Sequence, residues 1–440
     1  MYPDPQSQSA ALYERALKVL PGGNSRHTVF FPPYPIYAVR AKGARIWDAD
    51  GVERLDFIAN YSALIHGHNH PEIVAAIQRQ AEQLTAISLP TREEIALAEI
   101  ITSRIPAVEQ VRFCNSGTEA VMMALRAARA YTGRPKIAKI EGAYHGSSET
   151  ASVSVAPSPE AWGHPEAPAS VAPPGTGPGT AADTVVLPMN QVEACRKLIR
   201  QHGPELAGVL IDPLVKNLGY KPATREFVSM LREETRKVGA LLIFDEVYSL
   251  RLGFHGGQGA LGVAPDLTAL GKIIGGGLPV GAVGGRRDIM TTLFDPRKGS
   301  PKLGHGGTFN ANPLTMAAGR VSMELLDEAS FERLSALGER LRQGLREALK
   351  IAKVPGTVGG ATSMVCLFHS DAPIETYRDV VSTMRGNVQA QARAGQFFRH
   401  MLNNGVLIGA PGFFVLSTPL TEADIDDVLE KALAGLRAMS

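Results

Sequence analysis

A lysine in a glycine-rich stretch is the residue of this sequence with the clearest potential for covalent chemistry. Lys272 follows the apolar run Leu267–Leu270 and is followed closely by three consecutive glycines at 275–277. A solvated surface lysine needs no such neighbours, whereas a lysine that forms a Schiff base needs room around its amine, which glycine provides. The surroundings of Lys272 therefore favour a Schiff-base lysine.

A pair of carboxylates ends another apolar run. Leu241–Phe244 is followed directly by Asp245 and Glu246. Ligands of α/β folds bind at the carboxyl ends of the strands, and a strand over 241–244 would place Asp245 at that edge. Three uses of this carboxylate are open at this point: metal ligand, general base, or partner of a protonated ring nitrogen.

Two more segments offer groups for a phosphate or a flat ring. Residues 115–120 bring Ser116, Gly117 and Thr118 to the start of a helical pattern, where backbone N–H groups and the helix dipole favour an anion. The same pattern is also typical of an ordinary helix capping box. Tyr144, which lies close to two glycines, would either stack on a planar ring or pack in the core.

These segments all lie between residues 95 and 330, where short β-rich runs alternate with helical patterns. The alternation predicts an α/β fold with a mostly parallel sheet covered by helices, in which reactive groups gather where strands end and helices begin. The predicted strands are Val111–Cys114, Ile137–Ile140, Thr184–Leu187, Ala207–Ile211, Ala240–Phe244, Leu267–Leu270 and Ala282–Gly284. The predicted helices between them include Glu119–Tyr131, Gln191–His202 and Thr224–Val238.

The two ends of the chain are patterned differently from this middle part, and the C-terminal stretch from about residue 330 predicts a smaller α+β domain. The N-terminal elements are a helix over Ala10–Leu20, a hairpin over 45–51 and 54–58, and a helix from Pro71 to about Gln83. The C-terminal elements are helices over Phe331–Ile351, Tyr377–Asn403 and Glu422–Met439, and strands over Met364–Phe368 and Phe414–Ser417. The predicted domains are 1–70, an N-terminal segment that joins the small domain, 71–330, the large domain, and 331–440, the small domain.

Residues 156–180 interrupt the large-domain pattern with seven prolines among glycines and serines. A loop this long is usually functional or mobile. Two interpretations are open: a surface loop that covers a site, or a solvated insertion.

Composition excludes several classes of protein. The chain has 440 residues, of which 44% are hydrophobic and 20% charged, and 45 basic against 43 acidic residues give a net charge of +2, as in ordinary folded globular proteins. The sequence lacks a basic stripe of the kind that would indicate nucleic-acid binding, and it lacks a run of 18 apolar residues that could span a membrane. Since the N-terminus lacks a signal-peptide pattern and the three cysteines lie in apolar or helical contexts, we expect a cytoplasmic protein with buried, reduced thiols.

Other cofactor and catalytic motifs fail in detail. A P-loop would need glycine at 266 and serine or threonine at 273, where Asp266 and Ile273 stand. Gly257–Gly262 matches a dinucleotide-binding pattern, but no apolar strand precedes it. His66–His70 has no nearby cysteine or acidic cluster, so we expect no metal site there. Neither Gly-x-Ser-x-Gly nor His-Glu-x-x-His occurs.

Taken in chain order, the four segments around residues 115–120, Tyr144, Asp245 and Lys272 resemble pyridoxal-phosphate enzymes of fold type I. More narrowly, they resemble the class III aminotransferases. The nearest branch holds glutamate-1-semialdehyde aminomutase and the aromatic β-amino-acid aminotransferases. The resemblance runs from Pro21–Arg26 to Leu416–Leu420 and is most specific in Asn115–Ala120, Phe244–Val247 and Thr268–Gly285. It implies a mostly parallel, seven-stranded type of sheet with helices on both faces, a small α+β domain built from both chain ends, and a homodimer with shared active sites.

The resemblance also implies a role for each matching residue. Lys272 would hold pyridoxal 5′-phosphate as a Schiff base and then shuttle a proton, and Asp245 would keep the pyridinium nitrogen protonated so that the ring accepts electrons. The other implied cofactor contacts are Ser116, Gly117 and Thr118 at the phosphate, Tyr144 and Val247 on the two ring faces, His145 beside them, and Thr308 at the phosphate of the neighbouring subunit's cofactor.

The substrate would be an amino acid, with a keto acid as acceptor, in ping-pong half-reactions. Arg26 matches the position at which the β-amino-acid branch binds a carboxylate, a task that suits the planar guanidinium, although a solvated arginine after a turn is the alternative. The resemblance thus favours an aromatic or apolar β-amino acid as donor. The aromatic residues that would wall its pocket are Phe30, Phe31, Tyr34, Tyr37 and Tyr61.

Two departures from the family pattern concern the substrate. Pro411 stands where the β-amino-acid branch has a second arginine, which puts dicarboxylate acceptors in doubt and makes a monocarboxylate such as pyruvate a candidate. Asp212 stands where the family usually has glutamate, and the bulkier run 214–219 replaces small residues, which should reshape the pocket. Two other functions remain open: an intramolecular amino shift of the aminomutase type, and a catalytically silent binding protein that keeps the fold.

Overall fold

The computed structural model describes residues 1–410 and 412–439 of the chain. Its centre is a seven-stranded sheet in which six strands run in one direction and Gly281–Gly285 runs against them. Across the sheet the strands are Gln110–Cys114, Gly281–Gly285, Leu267–Gly271, Leu241–Asp245, Leu206–Ile211, Lys136–Ile140 and Thr184–Leu187. All seven predicted strands are confirmed, with ends that differ by one residue at most.

Helices connect these strands. They are Arg92–Arg104, Gly117–Thr132, Glu149–Ser152, Gly179–Ala182, Val192–His202, Arg225–Val238, Glu246–Ser249, Gly256–Leu261, Arg287–Phe294 and Pro313–Leu325. The strands Leu206–Ile211, Leu241–Asp245 and Leu267–Gly271 are buried along their whole length. Fully buried central strands of this kind are typical of a sheet covered on both faces, as the alternation predicted.

The two chain ends share a sheet. Ala38–Lys42, Arg45–Asp48 and Glu53–Asp56 pair antiparallel, and Val406–Leu407 joins Glu53–Asp56 in parallel. A second sheet is formed by Thr357–Ala361, Met364–Phe368 and Phe413–Val415. The surrounding helices are Gln8–Leu17, Pro71–Ala81, Glu328–Ala352, Tyr377–Val380, Val388–Asn403 and Glu422–Arg437. The α/β fold with a smaller α+β part from both ends is thus confirmed, while the domain boundaries at 70 and 330 stay a prediction.

Some predicted elements are wrong in extent. The helix predicted over Ala10–Leu20 ends at Leu17, and the strand predicted over Phe414–Ser417 ends at Val415. The continuous helix over 377–403 is broken, because a π turn over Val381–Arg385 ends at Gly386 and the side chain of Asn387 caps a new helix. The second hairpin strand ends at Asp56, whose carboxylate accepts the N–H groups of Ile58 and Ala59 and so starts a turn.

The proline-rich segment 156–180 is attached to the C-terminal part of the chain. Arg378 donates to the carbonyl of Trp162 at 2.8 Å and pairs with Glu141, and the hydroxyl of Tyr377 donates to the carbonyl of Pro157. In the described part of the chain, no residue of this segment lines the candidate site below. The interpretation as a cover of that site therefore finds no support within one copy of the chain.

Two of the expectations from composition can be compared with the structure. Cys114, Cys195 and Cys366 are free and buried, as predicted. Within residues 1–410 and 412–439, no helix is long and apolar enough to cross a membrane.

Candidate active site

Lys272 lies at the edge of the sheet, directly after strand Leu267–Gly271. Its backbone has φ +50°, a left-handed conformation that costs a residue with a side chain about 1–2 kcal/mol. Gly276 and Gly277 continue the chain with φ +60° and +95°, which favours glycine. The glycines next to Lys272 therefore allow a sharp turn that presents the lysine, as well as leaving space around it.

The amine of Lys272 is buried beside an aromatic ring and is under the influence of two carboxylates. Its Nζ lies 3.5 Å from the centre of the Tyr248 ring. Burial lowers the pKa of the Lys272 amine to about 8, although the charges of Asp245 and Asp212 act in the opposite direction. About a tenth of this amine is therefore neutral, and nucleophilic, at pH 7.

Asp245 ends the adjacent strand Leu241–Asp245 and is held by two donors. The Nδ1 of His145 lies 2.8 Å from its Oδ2, and the N–H of Val247 donates to its Oδ1 at 3.0 Å. Burial lowers the pKa of the His145 imidazole, so this ring is neutral at pH 7 and its Nδ1–H donates to Asp245. The Nε2 of His145 is buried and has no partner among the described residues.

Ser116, Gly117 and Thr118 form the start of helix Gly117–Thr132. The hydroxyl of Ser116 accepts the N–H of Glu119 at 3.1 Å and caps the helix, as in a capping box, but the carboxylate of Glu119 accepts the N–H of Asn115 and not that of Ser116. The N–H groups of Gly117 and Thr118 have no partner in the described part of the chain and are available to an anion. The capping and anion-binding interpretations are therefore compatible.

Two glycines allow close packing around residues 116–118, which we call the anion cradle. A Cβ at Gly117 would approach both γ carbons of Val247 to 3.0 Å. Gly146 has φ +91°, and a Cβ there would lie 2.6 Å from the Oγ1 of Thr118. No other residue type fits at Gly146 without moving Thr118.

One cavity of about 490 Å³ brings the predicted residues together. Tyr144 is half exposed, and the cavity also reaches Asn60, Tyr248 and Gly277. The predicted residues that line it are Arg26, Tyr61, Ser116, Gly117, Thr118, Tyr144, His145, Asp245, Val247 and Lys272. Thr308 is the exception, because it lies in a separate cavity of about 430 Å³ together with Ile87, Leu89 and Phe309.

Arg26 and Tyr61 are placed by an unusual turn. Residues Ala59 to Ser62 have φ between +46° and +75°, although none of them is glycine. Arg26 donates to the side-chain oxygen of Asn60 at 2.9 Å, and the hydroxyl of Tyr61 donates to the carbonyl of Thr28. Arg26 is exposed and has no carboxylate partner among the described residues, so its guanidinium is available to a ligand.

A second, mostly apolar cavity of about 520 Å³ adjoins the first and shares Arg26, Asn60, Tyr61 and Gly277 with it. Of the aromatic residues predicted to wall a pocket, Phe30, Phe31, Tyr37 and Tyr61 line this cavity. Tyr34 does not, because it is buried against Tyr2 and its hydroxyl bonds to the backbone of Asp4. The prediction for Tyr34 is therefore wrong.

Sequence reasoning missed several residues of the site. Asn60 and Tyr248 have no motif of their own, and only Tyr248, three residues after Asp245, offered a signal.

For Asp212, a departure from the family pattern, burial together with the charge of Asp245 raises the pKa well above the ordinary value. Pro411 lies outside the described residues.

The segments 257–262 and 66–70, for which a dinucleotide site and a metal site were rejected, make hydrogen bonds within the chain. Glu246 accepts the N–H of Gly257 and of Gln258, so the Gly257–Gly262 segment binds a buried carboxylate of its own chain. His66 bonds to the carbonyl of Ser322, and His68 to Asp56. Within the ranges that the structure describes, no group of three or more histidine, cysteine or acidic side chains is arranged to hold a metal ion.

Comparison with known proteins gives the family. The family model described as "Aminotransferase class-III" matches residues 29–433. The chain belongs to the class-III aminotransferases. This membership confirms the family that the sequence resembles and its identification as an enzyme of the transaminase type.

Members of this class-III family with different names are similar to the chain over nearly its whole length. Glutamate-1-semialdehyde 2,1-aminomutase 2 of Halalkalibacterium halodurans is 38% identical, over 97% of each chain. An omega-transaminase from Sphaerobacter thermophilus is 49% identical, with a TM-score of 0.96 over 100% of this chain and 99% of its own. A β-phenylalanine aminotransferase from Variovorax paradoxus is 38% identical, with a TM-score of 0.86 over 98% and 93% of the two chains.

The geometry of this class-III chain fits the cofactor seen in such relatives. Matching structures include a transaminase with PLP bound and an aminomutase in complex with PMP. The site offers a neutralisable amine at Lys272, a carboxylate at Asp245 and two free N–H groups in the cradle. The orphaned Nε2 of His145 and the close packing at Gly117 and Gly146 are further features of a site built for a ligand with a ring and a phosphate.

Proposed function

We propose that this enzyme uses pyridoxal phosphate at Lys272 and Asp245 to move an amino group from an amino acid to a keto acid in ping-pong half-reactions. The observation that carries the proposal is the single cavity that joins the Lys272 amine, the Asp245–His145 pair and the anion cradle. When bound, the cofactor supplies an aldehyde that takes up the amino group and a ring that accepts electrons.

Lys272 would hold the cofactor through its amine and act as the base that moves a proton at the reacting carbon. Its pKa of about 8 suits both tasks, because Nζ can accept a proton and release it again near neutral pH. The Tyr248 ring and the left-handed turn fix the position of Nζ. Such positioning keeps the amine close to the substrate atom on which it acts.

Asp245 would bind the protonated ring nitrogen. The Nδ1–H of His145 and the N–H of Val247 orient the carboxylate. Tyr144 and Val247 would contact the two ring faces, while the phosphate would be bound by the N–H groups and hydroxyls at 116–118. Each of these contacts is a proposal for the bound state.

The substrate side of the site favours an amino acid with an aromatic or apolar side chain. Arg26 lies where the two cavities meet, and its guanidinium is available to bind a carboxylate. The apolar cavity beyond it, walled by Phe30, Phe31 and Tyr37, has room for a ring. The similarity to a β-phenylalanine aminotransferase supports a β-amino acid as donor.

An aminomutase-type amino shift is the second candidate. The observation in its favour is that curated relatives 38% identical to this chain are named glutamate-1-semialdehyde 2,1-aminomutase. An aminomutase keeps both half-reactions on one bound substrate. Incubating the holoenzyme with glutamate-1-semialdehyde and no keto acid separates the two, because only an aminomutase forms 5-aminolevulinate.

A homodimer in the cytoplasm completes the proposal. Ile87, Leu89 and Phe309 are exposed apolar side chains around Thr308, and such a patch suits cover by a second copy of the chain. Thr308 would then reach the cofactor phosphate of the neighbouring subunit. Sedimentation equilibrium measures the mass of the assembly and so tests the dimer.

A panel of amino donors and keto-acid acceptors tests the proposed reaction. With the purified holoenzyme, we expect an aromatic β-amino acid to abolish the visible absorbance of the Lys272-bound cofactor and a keto acid to restore it. If no donor on the panel changes this absorbance, transamination is the wrong reaction.

A further inference from the structure

A lysine beside the proposed site has no negatively charged partner. Lys216 follows strand Leu214–Val215 in a short turn over 216–218 and is half-buried. Among the residues that the structure describes, none forms a hydrogen bond or an ion pair with its ammonium group. A half-buried ammonium that is left unpaired is costly, so its retention calls for an explanation.

The ammonium is packed against aromatic rings at the edge of the site. Its Nζ lies 5.8 Å from the centre of the Tyr61 ring and 5.2 Å from that of Phe413. Tyr61 lines both the cofactor cavity and the apolar cavity. The next residue, Asn217, donates to the carbonyl of Gly142 at 2.9 Å, which attaches the turn to the segment that leads to Tyr144. Lys216 thus lies next to Tyr61, a residue of both cavity walls.

The charge of Lys216 acts on the reacting amine. Burial lowers the pKa of the Lys216 ammonium, and the positive charge of Lys216 in turn lowers the pKa of Lys272. Arg251, another cation with this effect, is fully engaged, because it donates to Ser363, Ser62 and Leu416. Lys216 is therefore a cation near Lys272 with its donors free.

A ping-pong reaction would employ two cations without carboxylate partners, such as Arg26 and Lys216. One site must take two acids in turn, and the carboxylate of a β-amino acid lies one bond farther from the reacting carbon than that of a 2-keto acid. A single cation cannot serve both positions equally well, and the Arg26 guanidinium lies at the entrance to the apolar cavity. A lysine, as a compact charge on a flexible stem, suits the shorter acid.

We propose that Lys216 is a second carboxylate-binding residue, whose ammonium binds the carboxylate of the keto-acid acceptor while Arg26 binds that of the donor. The inference rests on the proposed function, because it assigns a residue to one of its two half-reactions.

The test measures the acceptor half-reaction by itself. Enzyme loaded with pyridoxamine phosphate is mixed with pyruvate or with propionaldehyde, an acceptor without a carboxylate, and the return of the visible absorbance is followed. For Lys216→Met we expect the second-order rate constant with pyruvate to fall about 10- to 100-fold, the loss typical of one charge-assisted hydrogen bond. With propionaldehyde it should stay within about twofold of wild type.

Two further variants separate binding from structure. Lys197→Met removes an exposed lysine from helix Val192–His202 and should leave both acceptors unchanged. Lys216→Arg keeps the charge and should recover part of the rate with pyruvate, whereas thermal unfolding of all variants checks that the fold is intact.

Each other outcome overturns the inference. An equal loss with pyruvate and propionaldehyde would show that Lys216 acts on both acceptors alike, through the structure or through the pKa of Lys272, and does not bind the acceptor carboxylate. An unchanged rate with pyruvate would show that it has no role in acceptor binding. If wild-type enzyme transfers no amino group to any acceptor, the proposed function itself fails and takes this inference with it.

Discussion

Replacing Gly146 by alanine should weaken cofactor binding without replacing any residue that is proposed to contact the cofactor. The new Cβ would lie 2.7 Å from the Cα of Thr118, about 0.7 Å inside ordinary van der Waals contact. A backbone atom cannot rotate away, so the start of helix Gly117–Thr132 must move by a similar distance. That movement displaces the N–H groups that would bind the phosphate.

Gly133→Ala is the matched control, because Gly133 ends the same helix with φ +72° and a methyl group at its Cα would have no atom within 4 Å. Both variants incur the left-handed strain of about 1–2 kcal/mol. Only Gly146→Ala adds the collision with Thr118. Urea unfolding of the two apoproteins therefore separates the common strain from the additional steric cost.

The assay for cofactor binding is a titration of each apoprotein with pyridoxal phosphate, followed by absorbance. Misplacing one or two hydrogen bonds to a charged phosphate costs about 1.5–3 kcal/mol, so the dissociation constant of Gly146→Ala should rise about 10- to 100-fold. Gly133→Ala should bind as wild type does. Equal affinities for the two variants would refute the placement of the phosphate at residues 116–118.

Three other substitutions test separate parts of the site and fold. Arg26→Ala should raise the half-saturating concentration of a β-amino-acid donor about 10- to 100-fold in steady-state kinetics. The half-saturating concentration of an amine donor without a carboxylate should not change. An equal increase for both donors would exclude carboxylate binding by Arg26. Asp245→Asn removes the charge and replaces one of the two carboxylate oxygens, which accept from His145 and Val247, by an NH2 group, so kcat should fall at least about 10²-fold in steady-state assays. Thermal unfolding checks that the fold is intact, and a wild-type kcat would contradict the ring-nitrogen role. Burial lowers the pKa of His369 to about 4, and neither ring nitrogen has a partner in the described part of the chain. Between about pH 6.5 and 4 the unfolded chain therefore binds more protons than the folded protein. The free energy of unfolding consequently decreases as the pH falls through this range. His369→Phe should remove about 2 kcal/mol of this loss at pH 5 in urea unfolding relative to pH 8, and an unchanged pH dependence would show that His369 is not its source.

The sequence was sufficient for the residues that lie at the ends of predicted strands. Lys272 and Asp245 each follow an apolar strand, and neighbouring parallel strands bring their carboxyl ends to one edge of the sheet. Ser116 is placed in the same way by strand Gln110–Cys114. For these residues, local pattern and sheet geometry lead to the same position, so periodicity alone located them.

Residues placed by long-range contacts could not be found in this way. The left-handed turn over 59–62 contains no glycine, and one of the contacts that hold it is the hydrogen bond from Arg251 to the carbonyl of Ser62, 189 positions earlier in the chain. The packing of Tyr34 against Tyr2, which removes Tyr34 from the pocket, is likewise tertiary. In the proposed dimer, the position of Thr308 relative to a cofactor would depend on a second copy of the chain, so neither the sequence nor one chain would determine it.

The attachment of the cofactor to Lys272 can be measured directly by trapping it. Holoenzyme is reduced with borohydride and digested, and mass spectrometry locates the lysine that carries the cofactor. The expected result is a single modified peptide containing Lys272, which is lost in Lys272→Ala. A cofactor trapped on Lys216 or any other lysine, or no modified peptide from wild-type enzyme, would contradict the central role of Lys272.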